Sequence, residues 1–277
     1  MSGLTELSQR LARLKEISGI MSAMKSLALV ETRKLARFLE HQRRMLANIE
    51  AAAADFLSFH PLGQTRAEPA AIVIVIGSER GFCGNFNERV LAALDALPRR
   101  EPAPMLVVLG QRLGTKTETR ANVIARIDGP SVTEDVPNVL NRLMDALHSA
   151  NRPLTGAGTA LMSLAHEAEG EPVLKRLLPL AAPARRFPHA PRLQLAPPAF
   201  FAELLDQYLL AAFTGLLYDS LAAENRQRLA HMEQALDRLG ETLARLALQR
   251  NRLRQEKIVE EIEVILSSEQ ALRHEPR

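Results

Sequence analysis

Apolar residues recur near the start of the chain at Leu4, Leu7, Leu11 and Leu14, in alternating steps of three and four. That spacing is the narrow seam of a helix that pairs with another helix. A skip of three then leads to Ile17, Ile20, Met24 and Leu27, which predicts a stammer, a local overwinding of the supercoil. No proline falls between Ser2 and Phe59, and the only glycines there are Gly3 and Gly19. The pattern predicts one helix over 1–59, a rod of roughly 80 Å at ~1.5 Å per residue. "HPLGQTRAEP" at 60–69 ends it with Pro and Gly.

The period changes over 70–195. "AAIVIVIG" and "PMLVVLG" are short aliphatic runs closed by glycine, the signature of buried parallel strands. "ANVIARIDG" is a weaker strand candidate, "EDVPNVLNRLMDALHSA" at 134–150 reads as a helix, and "TALMSLAHEAEGEPVLKRLLPL" as one or two strands with a turn at "EAEGEP". Such alternation predicts an α/β layer, and "FPHAPRLQLAPP" at 187–198 reads as a linker.

Helical spacing returns over 199–268. Leu229, Met232, Leu236, Leu239, Leu243 and Leu246 keep a heptad pattern; Arg250 interrupts the seam, Leu253 restores it, and after Lys257 it shifts to Ile258, Ile262 and Ile265. This second rod is roughly 100 Å long, and 269–277 reads as a disordered tail. A compact domain joins the end of the first helix to the start of the second. An antiparallel coiled coil is the economical way to bury both seams, with the termini projecting away from the α/β domain.

Composition narrows the function. Of 277 residues, 47% are hydrophobic but only 4% aromatic, with no Trp, a balance suited to packed helices rather than a β-sandwich. The formal charge of +3 is too small to argue for nucleic acid. A single cysteine forms no internal disulfide, consistent with a reducing cytoplasm. The N-terminus lacks a signal-peptide pattern, and no apolar stretch reads as the ~20 residues of a membrane span. Contact with a membrane is therefore expected through protein partners or a surface patch.

The loop "SERGFCGNFNERV" at 78–90 follows a strand, as phosphate-cradling loops do. A P-loop's Lys and hydroxyl are missing, and Gly77, Gly81 and Gly84, spaced by four and three, do not match a dinucleotide fingerprint. The alternative is a structural corner, with Gly81 and Gly84 in turn conformations and Asn85 or Asn87 capping the next helix. Cys83 reads as a small buried thiol, although Arg80 is near enough in sequence to depress its pKa. The seven histidines show no metal-ligand spacing, and no nucleophile, base and oxyanion donor assemble. Glu260 and Glu261 read as a solvated face. The basic run "RLALQRNRLRQEK", with Arg245, Arg250, Arg252, Arg254 and Lys257, is either an ordinary charged face or a ring of cations for acidic loops of a protein sleeve.

Three ordered blocks resemble the gamma subunit family of F-type ATP synthases. "ISGIMSAMKSLA" is similar to the family's I-x-x-I-T-x-A-M-K-M-V-A, with Ile20, Ala23, Met24 and Lys25 in place. "GSERGFCGNFN" resembles its S-[DS]-x-G-L-C-G-x-[LF]-N loop. "ENRQRLAHMEQALDRL" and "NRLRQEKIVEEIEVIL" resemble its final helix, and "LLPL" at 177–180 a block before it. The resemblance implies a Rossmann-like α/β foot that holds no nucleotide or other cofactor, on a coiled-coil shaft that is not itself an enzyme. The shaft would couple a membrane c ring to ATP chemistry in the alpha and beta subunits, with epsilon at the foot, on the cytoplasmic side of a bacterial inner membrane.

By the matched motifs, Met24, Lys25, Arg252, Arg254 and Gln255 would meet the lever and catch of beta. Ile258, Ile262 and Ile265 would form an apolar bearing tip, and Gly81, Cys83 and Gly84 would be structural. Met21, Ser22, Ser26, Phe82, Arg238 and Val259 depart from the pattern, which implies a diverged, ion-specialised second F-type ATPase. The rival readings are a static coiled-coil scaffold and a Rossmann-like nucleotide-binding enzyme.

Overall fold

The computed structural model describes residues 2–61, 70–98, 102–150, 159–167, 170–180 and 189–273, with side chains described from Gly3 to Leu266 apart from Ala70. Two long helices frame the chain, α1 (Ser2–Phe59) and the last helix, which runs from Pro197 to Arg273. Between them lie β1 (Ala70–Ile76), α2 (Phe86–Asp95), β2 (Met105–Leu109), α3 (Gln111–Lys116), β3 (Val123–Ile127), α4 (Val136–Ser149), β4 (Thr159–His166) and β5 (Pro172–Leu178); the last helix is α5. α5 continues past 268, where a disordered tail was expected, because Glu269, Gln270, Ala271, Leu272 and Arg273 are all strong helix formers. The remaining tail residues, 274–277, lie outside the described residues.

The chain divides into two compact units, one of residues 28–229 and one pairing 1–27 with 230–277. In the larger unit the strands form one sheet in the order β3-β2-β1-β4-β5. β1 is parallel to β2 and β4, and β2 to β3, whereas β5 turns back antiparallel on β4. Alternation along the strands divides the core. Ile72, Ile74, Ile76, Val107, Leu109 and Leu161 face a layer of α4, Leu35 and Leu39 of α1, and Leu205, Leu209, Phe213 and Leu217 of α5. Val73, Val75, Leu106, Val108 and Leu164 face Val90 and Leu94 of α2 and Leu113 of α3. A sheet covered on both faces requires unbroken aliphatic strands, which is why β1 and β2 were legible from their runs.

α5 corrects one expectation. Within Pro197–Leu266 it holds an 18-residue window of mean hydropathy 1.3, long and apolar enough to cross a membrane, with 39% of that window buried in the protein. The apolarity of its first half has a local cause, since Leu205, Leu209, Ala211, Ala212, Phe213 and Leu217 are core residues.

In the smaller unit Leu7 and Leu11 are buried with Leu246, and Leu14, Leu243 and Leu253 pack around them. Lys25 Nζ lies 2.7 Å from Glu233 Oε1, so low numbers on α1 meet high numbers on α5 and the helices run antiparallel. The expected stammer is absent. The less exposed positions of α1 continue from Leu14 to Ser18, Met21 and Lys25, and in the larger unit through Ala28, Thr32, Leu35 and Leu39, in unbroken steps of four and three. Ile17, Ile20 and Leu27 stand off that seam at 47%, 62% and 64% exposure. Small or charge-paired side chains hold the seam positions instead, which hydrophobicity alone does not reveal.

Candidate functional site

The loop after β1 lies at the carboxyl ends of the strands, where sheets of this kind place ligands beside the switch in strand order. Here the chain fills that position itself. Glu79 Oε2 accepts the N–H groups of Gln111 at 2.9 Å and Gly129 at 2.6 Å. Glu224 of α5 accepts those of Glu79 and Arg80, each at 3.1 Å. Ser78 N–H donates to Asn87 Oδ1 at 2.9 Å, and Asn87 Nδ2 returns a bond to Ser78 Oγ at 2.8 Å. Backbone amides that a phosphate would need are thus held by two carboxylates of the chain. Across the crevice Phe86 and His166 stack at 4.0 Å, and the His166 ring nitrogens face the Phe86 and Gly170 carbonyls at 3.1 and 3.0 Å.

The loop conformation refines the sequence reading. Gly84 has φ 57°, but the second left-handed residue is Phe82 at φ 66°, not Gly81. Phe82 carries the strain that a side chain meets there, with its ring 57% exposed. Asn85 occupies the position before α2 without a side-chain capping bond, and Asn87 is committed to Ser78. Backbone approaches closely at Gly110, φ 101°, where a Cβ would sit 2.6 Å from the Gly77 carbonyl oxygen, and Gly77 itself is tighter, with a Cβ placed 2.4 Å from Leu113 Cβ.

Below the loop lies a charged cluster that the sequence did not single out. Glu224 and Arg228, one helical turn apart on α5, are 5% and 6% exposed and form an ion pair. Arg228 also donates from Nε to the Gly81 carbonyl at 3.2 Å, from Nη1 to Asn225 Oδ1 at 2.9 Å and from Nη2 to Cys83 Sγ at 3.4 Å. Cys83 is the small buried thiol the sequence reading favoured over one activated by Arg80: burial, followed by the negative charge of Glu224, pushes it up to about 12. Arg228 opposes this without overcoming it. A thiol in that state is a poor nucleophile. Iodoacetamide at pH 8 should leave Cys83 unmodified in the folded protein and alkylate it fully in denaturant, read by intact mass; fast labelling of the folded protein would contradict the burial.

The proposed contact residues fall in the smaller unit. Met24 is half-buried, and Lys25 is committed within the chain to Glu233. Arg252 is 80% exposed in its side chain, with Nε 2.9 Å from Glu256 Oε1. Arg254 and Gln255 are exposed, Arg250 is half-buried against Asn251 at 3.1 Å, and Lys257 faces Glu261 at 3.5 Å. α5 outruns the start of α1, so Ile258, Val259, Ile262, Val264, Ile265 and Leu266 are all exposed. Between Leu14 and Met21 the helix pair opens into a groove of about 420 Å³ beside Ala235 and Leu239. The structure therefore separates the singled-out residues into a sealed loop in one unit and an exposed basic and apolar helix end in the other.

Comparison with known proteins places this geometry. A family model described as ATP synthase matches residues 3–272. The ATP synthase gamma chain of Anaeromyxobacter sp. strain Fw109-5 is 28% identical over 301 residues, covering 99% of this chain and all of the relative. That of Saccharopolyspora erythraea is 28% identical over 306 residues, covering 98% of each. Among solved structures, a chain of the Euglena gracilis mitochondrial ATP synthase (OSCP/F1/c-ring, rotational state 3) superimposes with a TM-score of 0.64 at 14% identity, covering 97% of this chain and 94% of that one. A chain from the rotor of the same enzyme gives 0.59 at 15% identity, covering 92% and 98%. The α/β class with long terminal helices is the fold these structures share.

Proposed function

The chain belongs to the ATP synthase gamma family, and from that membership we propose how its two units work. It is the central rotor shaft of an F-type ATP synthase, a non-catalytic subunit. By rotating, it couples ion flow through the membrane c ring to ATP synthesis or hydrolysis in the alpha/beta hexamer, with epsilon beside its foot. One observation carries the mechanical part. The leucine seam of the smaller unit is consumed within the chain, by Leu7 and Leu11 against Leu246, while Ile17, Ile20, Leu27 and the isoleucines near the end of α5 stay exposed. A static scaffold would self-associate through its seam; here that seam is already closed and the outer faces remain for surrounding proteins. The sealed loop likewise argues against a nucleotide enzyme. Affinity purification of the tagged chain from its cell, with partners counted by native mass, should return one copy per alpha/beta hexamer; recovery as a homodimer without those partners overturns the reading.

Each contact role rests on placement. Arg252, Arg254 and Gln255 supply an exposed basic band for a catch on beta, and Met24 the lever-facing side of α1. Lys25 acts from its ion pair with Glu233 rather than as a free cation. Ile258, Ile262 and Ile265 form the bearing tip. Exposed pairs of this kind contribute ~0.2–1 kcal/mol each, so coupling comes from their sum. Charge reversal of Arg252 and Arg254 together should lower ion pumped per ATP while leaving hydrolysis by the detached head near wild type; an unchanged ratio removes these two from the contact. The cytoplasmic face of a bacterial membrane is supported by the bacterial relatives and by the lone buried thiol. Identity of 28% to both gamma chains compared supports a diverged branch, and its specialisation for a particular ion remains part of the proposal.

A further inference from the structure

The buried ion pair has an unusual arrangement for a structural corner. Glu224 and Arg228 lie one turn apart on α5, yet between them they grip both donors and acceptors of one tight loop. Glu224 takes the N–H groups of Glu79 and Arg80. Arg228 donates to the Gly81 carbonyl beyond them and to Cys83. The loop cannot shift easily under this grip. Its N-terminal side is tied by Glu79 to Gln111 and Gly129, its C-terminal side by Phe86, packed with Cys83 and Ala223. A helix held at one point can roll about its axis or slide along it. A helix held through two residues, one to donors and the other to acceptors, can do neither without breaking several buried bonds together.

Charge makes the grip specific. A buried ion pair adds little stability over an apolar packing of equal volume, so retention of one here calls for a role other than stability. Apolar contacts tolerate sliding because their energy varies smoothly with position. Charged hydrogen bonds do not, since a displacement of one bond length leaves buried charges unpaired. We propose that Glu224 and Arg228 are the torque latch of this chain: they lock α5 against rolling on the α/β domain, so that turning force entering along the helix reaches the sheet without slip. The inference rests on the rotor reading above and adds the residues that join shaft to foot. They are positioning residues and touch neither nucleotide nor ion path.

The test uses the assembled enzyme in inverted membrane vesicles. The double variant Glu224→Gln with Arg228→Met removes both charges at once and leaves an amide to accept from the loop, so no unpaired ion is buried. Arg228→Lys, which keeps the charge but loses the several-point donation, is carried beside it. ATP hydrolysis, thermal midpoint of the complex and ATP-driven ion uptake are read together, uptake with both a pH-sensitive dye and radioactive sodium. The latch predicts hydrolysis and midpoint near wild type while ions moved per ATP fall about fivefold, the scale of an ordinary coupling between sites. A ratio equal to wild type in either variant that assembles overturns the proposal. Failure of both to assemble also overturns it, because the cluster is then only a fold element. Bead rotation on the wild-type complex tests the rotor reading separately, so a shaft that never turns is distinguished from one that turns and slips.

Discussion

Arg228→Ala lowers the unfolding free energy of the 28–229 unit by about 3–5 kcal/mol, the cost of stranding one partner of a buried pair. Burial already raises the pKa of the Glu224 carboxyl above the ordinary carboxylate range, and Arg228 is the first of the groups that oppose this. Without the guanidinium, Glu224 takes up a proton or draws water into the cluster, and the Gly81 carbonyl and Cys83 lose a donor. A group with a raised folded pKa binds protons more readily folded than unfolded, so its penalty grows as pH rises above the unfolded value. The variant is therefore expected to be most destabilised at neutral pH and partly relieved near pH 5. Chemical denaturation at the two pH values, followed by far-UV circular dichroism, checks both size and sign. A loss below about 0.5 kcal/mol at neutral pH, the range of an ordinary surface change, would mean that the pair is open to solvent.

Leu11→Ala combined with Leu246→Ala unzips the smaller unit. Both side chains are nearly inaccessible, at 4% and 7% exposure, and each truncation in a packed seam costs about 2–5 kcal/mol. The two touch the same cluster, so their costs should not add fully. Among the described residues Leu7 remains in the cluster, Leu14, Leu243 and Leu253 lie at its margin, Met232 is buried further along, and the Lys25–Glu233 pair is too exposed to substitute for lost apolar burial. Amide exchange in the isolated chain should accelerate by orders of magnitude over 4–25 and 236–253, while β1, β2 and β4 keep their protection. In the assembled enzyme the same variant should still hydrolyse ATP but pump few ions per cycle. Unchanged protection over 4–25 would show that something other than the leucine seam holds the two ends together.

Much of the fold could be read directly. β1 and β2 were legible because their runs are aliphatic throughout, as a strand covered on both faces favours, and the two long helices because nothing in them breaks a helix; β4, with Thr159, Ser163 and His166, was read less sharply together with β5. The short α3 was not legible, since six residues containing Gly114 and Thr115 carry no periodicity. The seam beyond Leu14 misled for a definite reason. Ile17, Ile20 and Leu27 are more apolar than Ser18 and Lys25, yet they are exposed while Ser18 and Lys25 are half-buried and Lys25 pairs with Glu233 of α5, so apolarity there does not mark the seam. The departure Phe82 was visible as a missing leucine, but nothing in one sequence says that it adopts φ 66°. Glu224 and Arg228 stood in plain view at a spacing of four, the pattern of countless exposed helix pairs. Only their burial distinguishes them.

The amino-acid order alone settled most of the succession of elements, the lack of a P-loop's lysine and hydroxyl after β1 and the resemblance that led to the family. Those features are local: a period, a proline, a missing lysine, a run of residues in sequence. The folded chain decided which apolar stripe became the seam, which amides were sealed by Glu79 and Glu224, and which charges were removed from water. Most of these depend on residues far apart in the chain arriving within 4 Å of one another, as Lys25 does with Glu233 and Cys83 with Arg228. Burial and pairing are properties of that encounter, and no single stretch of chain encodes them.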